Sequence, residues 1–363
     1  MIDEYFNISI NIYSRLQDDL SKRIYRAGIS YNLTKDEKCL DDTMTELFCR
    51  RCKDDLVAFC RKKSEELYIF GIGTWGTRIY NVCKDNDVIV NGWIDNSGKA
   101  DQKNGLKVFK PVEVSNPNRT RVIVSVEKYS AEIINQLTEL GFSNDNIYDL
   151  GLRIRKQAKE LEKLQYFDLE EMKSDGHEVF VDCGAFDGMS TERFVQWADN
   201  KYDKIYMFEA NTELYEASKD VSNKHANCVL INKGVWNKET ELEFYESPYD
   251  KEFNVNISDH NCLDDSKKNE DWIVHRIPVV KMDDVIDGPI TFIKMDIEGS
   301  EAAAIEGAER LICTYKPKCA ISVYHKPDDL WVIPSILLNY NPDYKLYLRH
   351  YSMGWGETVL YAL

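Results

Sequence analysis

The 363-residue chain contains no apolar run approaching the roughly 20 residues a helix needs to cross a bilayer, so no membrane span is expected. Positive charge is in short supply. Lys and Arg number 46 against 62 Asp and Glu, a formal charge of −16 at neutral pH. Such a surface repels phosphate backbones and anionic lipids, which argues against nucleic acid or a membrane surface as the main partner. The ten cysteines follow no regular framework, which suits a reducing compartment and points to a cytoplasmic protein. Cys49 and Cys52 form a CxxC, but no second CxxC or CxxH follows, and helical spacing of Leu47, Leu56 and Phe59 reads them as half-buried helix cysteines. The opening MIDEYFNISI has neither the basic nor the apolar region of a signal peptide. What remains is 43% apolar and 30% charged, the composition of a globular protein long enough for two cores.

No short repeat is present, but βα alternation occurs twice. Residues 1–63 read as a helical segment with a break around Gly28 to Asn32. In 64–151, LYIFGIG, VIVNGWIDNS and RVIVSV are strands, followed after the first and third by helical stretches, so a small parallel sheet is expected. Residues 152–174 are charged and helical, a connector. The span 175–363 holds the strands EVFVDCGA, KIYMFEA, CVLINKGV, ITFIKMDI and KCAISVYH, with an irregular polar insertion at about 246–275 of the kind that covers a site. YKLYLRHY and TVLYAL, joined by SMGWGE, form a closing hairpin, so the last strand runs antiparallel to its neighbour. The fold class is α/β: two doubly wound sheets, the second with a reversed last strand, after an N-terminal helical segment.

In the second series polar groups gather where strands end: Asp182 and Gly184, Glu209, Asp296 with Glu298, His325, and Arg349 with His350. Ligands bind beyond the carboxyl ends of strands in such sheets. In VDCGAFDGMST, Gly184 and Gly188 with Asp187 make a loop that opens a helix, and Glu209, about 25 residues on, is placed to accept both hydroxyls of a ribose.

The segments VDCGAFDGMS, FEAN, INKGVW, KMDDVI, IKMDIEGSEAAAIEGA and RHY…ETVLYAL, in this order, resemble class I S-adenosylmethionine-dependent methyltransferases, and among them the FkbM family. The resemblance implies a doubly wound methyltransferase sheet over 175–363, S-adenosylmethionine as cofactor, and an enzyme that methylates hydroxyl groups, frequently on sugars and polyketides. It further implies that Asp182, Gly184 and Ala185 line the cofactor's amino acid end, that Glu209 holds its ribose, and that Asn211 or Val235 lies near the adenine. Ala185 stands where the commoner loop has glycine, as in FkbM relatives.

Methyl transfer to a hydroxyl asks the protein to align the acceptor oxygen and to take its proton. The candidate bases are Asp296, His325 and, after them, His350. A structural hydrogen bond is the competing role for each histidine. Arg349 can pair with Asp296 or Glu298, which would make those acids structural, or contact substrate. A divalent cation on Asp296 and Glu298 lacks a third ligand in the sequence, and no metal is expected.

LYIFGIGTWG places Gly71, Gly73 and Gly76 as GxGxxG after a strand, with Asp95 24 residues beyond Gly71. With VNGWIDNSGKADQKNGLKVFKP, this passage resembles Rossmann-like nucleotide-binding domains ahead of bacterial sugar-modifying enzymes, which implies that Gly73, Asp95 and Asn96 contact the nucleotide of a nucleotide-sugar. A sheet with a purely structural role is the alternative. The expected function is transfer of a methyl group to a hydroxyl of a sugar, nucleotide-sugar or glycan precursor in polysaccharide biosynthesis. The competing readings are a nicotinamide-dependent oxidoreductase using the first sheet, for which no Tyr-x-x-x-Lys follows, and a non-catalytic nucleotide-binding module. Neither the acceptor nor assembly into a homo-oligomer is written in the chain.

Overall fold

The computed structural model describes residues 2–36, 39–40, 55–62, 66–126, 128–246, 254–255, 273–352 and 356–363. Cys49, Cys52, most of the 246–275 insertion and the centre of the closing glycine turn lie outside the described residues. The chain divides into two compact units, one formed by Met1–Asp36 with Lys163–Leu363 and the other by Glu37–Glu162.

Helices α1 (Ile2–Arg15) and α2 (Asp19–Thr34) open the chain. The expected break at Gly28 to Asn32 is absent, because α2 runs through it; the chain breaks instead at residues 16–18. There the Asp18 side chain caps α2 by accepting the Ser21 N–H at 2.7 Å, and a satisfied cap starts a helix that one interior glycine cannot stop.

In the unit 37–162, the chain passes through β1 (Glu66–Phe70), α3 (Thr74–Asp85), β2 (Gly92–Ile94), β3 (Gln102–Lys103), β4 (Leu106–Phe109), β5 (Thr120–Val124), α4 (Ser130–Glu139) and β6 (Ile147–Asp149). Their sheet has the order β3-β4-β2-β1-β5-β6, parallel except at β3. The apolar runs of β1 and β5 are buried on both faces, as a parallel sheet demands. Helix α5 (Leu150–Leu164) follows, and ends well short of the helical connector expected to 174.

The larger unit continues with β7 (Glu178–Cys183), α6 (Met189–Trp197), β8 (Tyr202–Phe208), α7 (Thr212–Lys224), β9 (Cys228–Ile231), β10 (Gly234–Val235), β11 (Thr240–Glu246), β12 (Asn254–Val255), β13 (Ile273–Val280), α8 (Met282–Val285), β14 (Phe292–Met295), α9 (Glu301–Glu306), α10 (Glu309–Tyr315), β15 (Lys318–Ser322), α11 (Asp329–Tyr340), β16 (Leu346–His350) and β17 (Thr358–Ala362). Seven strands form the main sheet in the order β16-β17-β15-β14-β7-β8-β9. β17 alone is reversed and is inserted between β15 and β16. A second sheet, β10-β13-β11-β12, takes in CVLINKGV's second half, so the single strand expected there is two strands in different sheets. Ile12 of α1, Leu16 of the connection, and Ile24 and Tyr25 of α2 are buried in the same core as Leu346, Leu348 and Ile333, so the N-terminal helical segment packs within the larger unit.

Two glycines of the first loop differ sharply in what surrounds them. A Cβ on Gly76 would stand 2.1 Å from the Gly71 carbonyl oxygen, whereas one on Gly73 meets nothing within 4 Å, at an ordinary φ of −75°. Gly76→Ala is therefore expected to destabilise the chain by about 1–3 kcal/mol, as overpacking does, and Gly73→Ala to leave it unchanged or slightly more stable. Chemical denaturation of the two variants checks the contrast; equal midpoints would refute it.

Candidate active site

The site is built where β8, β7 and β14, three adjacent parallel strands, end on the same edge. Gly184 leaves β7 at φ +79°, and a Cβ there would lie 2.0 Å from the Asp296 carbonyl oxygen. Glycine is thus required by the chain's own packing, since the ends of β7 and β14 touch backbone to backbone. Gly188 is held likewise, at φ +86° and against Val221.

Glu209 grips this loop. Its Oε2 accepts the Phe186 N–H and its Oε1 the Asn211 N–H, both at 2.8 Å. The side chain is 7% exposed, and burial pushes its carboxyl above the usual range although both N–H groups work against the shift. Two of the roughly four acceptor sites of the carboxylate are taken by these two bonds. Asn211 caps α7, accepting from Glu213 and Leu214, so its side-chain oxygen is engaged in the helix start. Val235 is buried in the core on β10, which pairs with β13 outside the main sheet. Ala185 is buried, and its N–H donates to the Phe208 carbonyl at 3.1 Å. Asp187 accepts from the Met189 N–H at 3.0 Å, closing the turn into α6.

Asp182 is bonded within the protein. It is fully buried; Oδ2 accepts from Ser190 at 2.6 Å and Thr191 at 2.8 Å, and Oδ1 lies 3.1 Å from the Lys294 ammonium. Lys294, inside β14 and 3% exposed, also donates to the Gly184 carbonyl at 2.6 Å. Burial opposes its charge, but Asp182 and Asp296 outweigh burial and raise the ammonium's pKa. A lysine within the apolar run ITFIKM is a sequence signal of a buried acid partner.

At the end of β14, Asp296 is held by two tyrosines. The Tyr166 hydroxyl donates to Oδ2 at 2.7 Å and that of Tyr324 to Oδ1 at 3.3 Å. Tyr324 also reaches Glu357 at 3.4 Å, which Gln165 holds from the other side. Nothing in the sequence marked Tyr166, Gln165 or Glu357, which arrive from remote segments. His325 stands among acids: Nδ1 is 3.0 Å from Glu301 Oε1, and Nε2 is 3.5 Å from Asp296 and 3.6 Å from Glu298. Burial disfavours its charge, but Glu301, Asp296 and Glu298 together push its pKa up to about 10. Asp296 and Glu298 are 24% and 52% exposed at the side chain, against 7% for His325.

Two expected members stand apart. Arg349 pairs with neither Asp296 nor Glu298; its guanidinium meets Asp18 at 2.8 Å, on the cap of α2. That arginine rises and Asp18 falls in pKa, each against burial, through their mutual bond. His350 is buried on the edge strand β16, with β17 and β15 between it and β14, and its Nδ1 lies 2.8 Å from the Thr358 hydroxyl. Position on the sheet, which a strand-end tally ignores, removes both from the Asp296 cluster.

In the smaller unit, the Asp95 carboxylate accepts the Ile72 N–H at 3.3 Å and the Ser97 N–H at 2.7 Å. Asn96 exchanges two amide hydrogen bonds with Gln136. Gly71, at φ +102°, packs against Val126 and Ser125. The loop is thus tied down by its own unit, and Gly73 is its open position.

Residues 182–352 match the Methyltransferase FkbM domain, and residues 63–148 match the C2185-like, N-terminal family. No curated protein matches the chain. Among solved structures, the chain is similar to methyltransferase FkbM from Methylobacillus flagellatus KT, at 20% identity and a TM-score of 0.48, over 90% of this chain and 100% of that one. It is also similar to Aeropyrum pernix fibrillarin in complex with S-adenosyl-L-methionine, at 10% identity and TM-score 0.36 over 57% and 76% of the two chains. A putative rRNA-methylase from Clostridium thermocellum gives 11% and 0.33 over 58% and 93%.

The Asp182–Lys294 pair yields a direct test. Lys294→Met strands a buried carboxylate and is expected to cost about 3–5 kcal/mol of stability, while Lys294→Met with Asp182→Leu recovers most of that loss. Urea unfolding of the single and double variants measures it; a single variant as stable as wild type would remove the pair from its anchoring role.

Proposed function

We propose that the larger unit moves a methyl group from S-adenosylmethionine to a hydroxyl of a sugar or glycan precursor. The FkbM domain match supports methyl transfer. The observation that carries the assignment of place is Glu209: a buried carboxylate, oriented by two backbone N–H groups and with acceptor capacity left over, just past the end of β8 and beside the glycine loop. These residues fit the cofactor. Glu209 would hold the ribose hydroxyls, and the Gly184–Gly188 loop would face its amino acid end. When bound, the cofactor supplies a methyl group on a good leaving group.

The chain's own residues must orient the acceptor and handle its proton. Asp296 and Glu298, the more exposed acids at the end of β14, can accept hydrogen bonds from a polyol and receive the hydroxyl proton. His325, enclosed by three carboxylates, orients them. Carboxylates gathered in this way favour hydroxyl donors and repel phosphate, which supports a neutral glycan portion at this edge. For the smaller unit, the nucleotide of a nucleotide-sugar is the proposed ligand of the open Gly73 position; the commitments of Asp95 and Asn96 leave backbone N–H groups of the α3 start as its contacts.

Three outcomes test these assignments. Glu209→Ala is expected to weaken S-adenosylmethionine binding by about 1.5–3 kcal/mol in calorimetry, and unchanged affinity would sink the ribose assignment. Asp296→Asn is expected to slow label transfer from methyl-labelled cofactor at least about tenfold, with cofactor affinity nearly intact. Gly73→Val, which meets open space and folds, should abolish nucleotide-sugar binding while S-adenosylmethionine binds normally; if binding persists, the smaller unit has no nucleotide role at that loop.

A further inference from the structure

We infer that Glu357 is a neutral carboxylic acid in the folded protein: it donates its proton to the Tyr324 hydroxyl, which donates in turn to Asp296 and fixes Asp296 as the ionised member of the pair. The inference rests on the proposed acceptor site and deepens it, by separating the base from the groups that position it. The sheet sets up the contact. β15 and β17 pair antiparallel with Ser322 opposite Val359, and the Val323 N–H still reaches the Thr358 carbonyl at 2.9 Å. The same register places Tyr324 opposite Glu357. Glu357 is held there at φ +61°, a left-handed conformation that a side chain adopts only at a cost.

A count of hydrogens decides which group carries the proton. The Tyr324 hydroxyl oxygen lies 3.3 Å from Asp296 Oδ1 and 3.4 Å from Glu357 Oε1, nearly midway between two carboxyl oxygens. A phenol has one hydrogen, and an ionised carboxylate only accepts. One of the two contacts would therefore set lone pair against lone pair unless a carboxyl carries a proton. Asp296 is the poorer carrier. Its Oδ2 accepts the Tyr166 hydroxyl at 2.7 Å, and the His325 ring stands 3.5 Å from Oδ1, and both favour the ionised form. The hydrogen-bond partners of the Glu357 carboxyl are neutral, the Gln165 amide on Oε2 and the Tyr324 hydroxyl on Oε1. A proton on Oε1 makes Glu357 a donor, and every hydrogen on the path from Glu357 to Asp296 then has an acceptor.

The surrounding charges favour the same arrangement. Asp296 and Glu298 come from the end of β14, Tyr324 and His325 from the end of β15, and Gln165 and Tyr166 from the segment after α5. Asp296, Glu298 and Glu301 already face the single imidazolium of His325, so a fourth charge at Glu357 would go unbalanced. Burial and then the charge of Asp296 raise the Glu357 carboxyl above its usual range, against the pull of Gln165, His325 and Tyr324. Burial, with Asp296 and Glu357 adding to it, holds the Tyr324 hydroxyl far above an ordinary phenol, so it stays a donor. A neutral acid beside the base thus keeps the Tyr324 hydrogen on Asp296 and leaves that carboxylate to receive the acceptor's proton. Tyr324 and Glu357 act through Asp296 and are positioning residues.

The test compares Glu357→Gln with wild type in urea unfolding of the full chain, from about pH 4, the ordinary carboxyl range, to about pH 8. A glutamine amide has the shape and the donor of the neutral acid but no proton to lose. A carboxyl that is harder to ionise in the folded chain makes wild type less stable as pH rises from the unfolded group's range to the folded group's. The folding constant of Glu357→Gln relative to wild type is therefore expected to climb by up to about tenfold per pH unit over that window, and then to level off. A ratio that is flat or falls with pH overturns the proposal, as does a Glu357→Gln chain that fails to fold where Glu357→Ala folds. In label transfer from methyl-labelled S-adenosylmethionine, Glu357→Ala is expected to be at least about tenfold slower than wild type with cofactor affinity intact, and Glu357→Gln to recover most of that loss. An alanine variant as fast as wild type, or a glutamine variant no faster than the alanine one, refutes the positioning role. The unfolding comparison needs neither cofactor nor acceptor, so a wild type that transfers no methyl group refutes the proposed function alone.

Discussion

The buried ion pair of Asp182 and Lys294 is the constraint on which the ligand edge of the main sheet depends. Lys294 reaches from β14 to β7 and binds both the Asp182 carboxylate and the Gly184 carbonyl. Asp182 in turn binds the first turn of α6 through Ser190 and Thr191. One charge pair therefore fixes two strands, the glycine loop and a helix start. Desolvating both charges is costly, and such pairs persist where they specify an arrangement more than where they add stability. The arrangement specified here is the one in which Glu209 closes on the loop and Asp296 emerges beside it.

The edge separates two kinds of carboxylate. Asp182 and Glu301 are buried and committed to the protein. Glu209 is committed in part, and Asp296 and Glu298 turn more surface outward. The proposed roles follow that gradient: anchoring below, cofactor grip in the middle, acceptor chemistry at the rim. The tyrosines on Asp296 are part of the same division. Tyr166 is buried, and burial together with the charges of Asp296 and Glu357 raises its pKa well above the ordinary value, so it remains a hydrogen-bond donor that orients the carboxylate.

Strands were the legible part of this fold. Runs such as EVFVDC and FIKM are buried throughout, and their continuous apolar character is what a two-sided parallel sheet needs. Helix limits in the first 36 residues and the split of CVLINKGV were not legible, because a cap at Asp18 and a pairing of β10 with β13 are decided by tertiary partners. At the candidate site, strand-end position singled out Glu209, Asp296, Glu298 and His325, which the fold brings to one edge, but it could not tell Asp182, buried and held by Ser190, Thr191 and Lys294, from a more exposed acid. It likewise gathered Arg349 and His350, which the strand order sends to the edge at β16. Burial with an ion-pair partner and strand order are both properties of the folded sheet, and neither is local in sequence.

The central claim is that S-adenosylmethionine occupies the loop gripped by Glu209. Amide hydrogen exchange of the full chain with and without the cofactor tests it most directly, because Phe186 and Asn211 donate their N–H groups to that carboxylate. Slower exchange across residues 184–211 on cofactor addition, with residues 71–76 unchanged, is the result predicted. Protection confined to residues 71–76, or none at residues 184–211 under saturating cofactor, would contradict it.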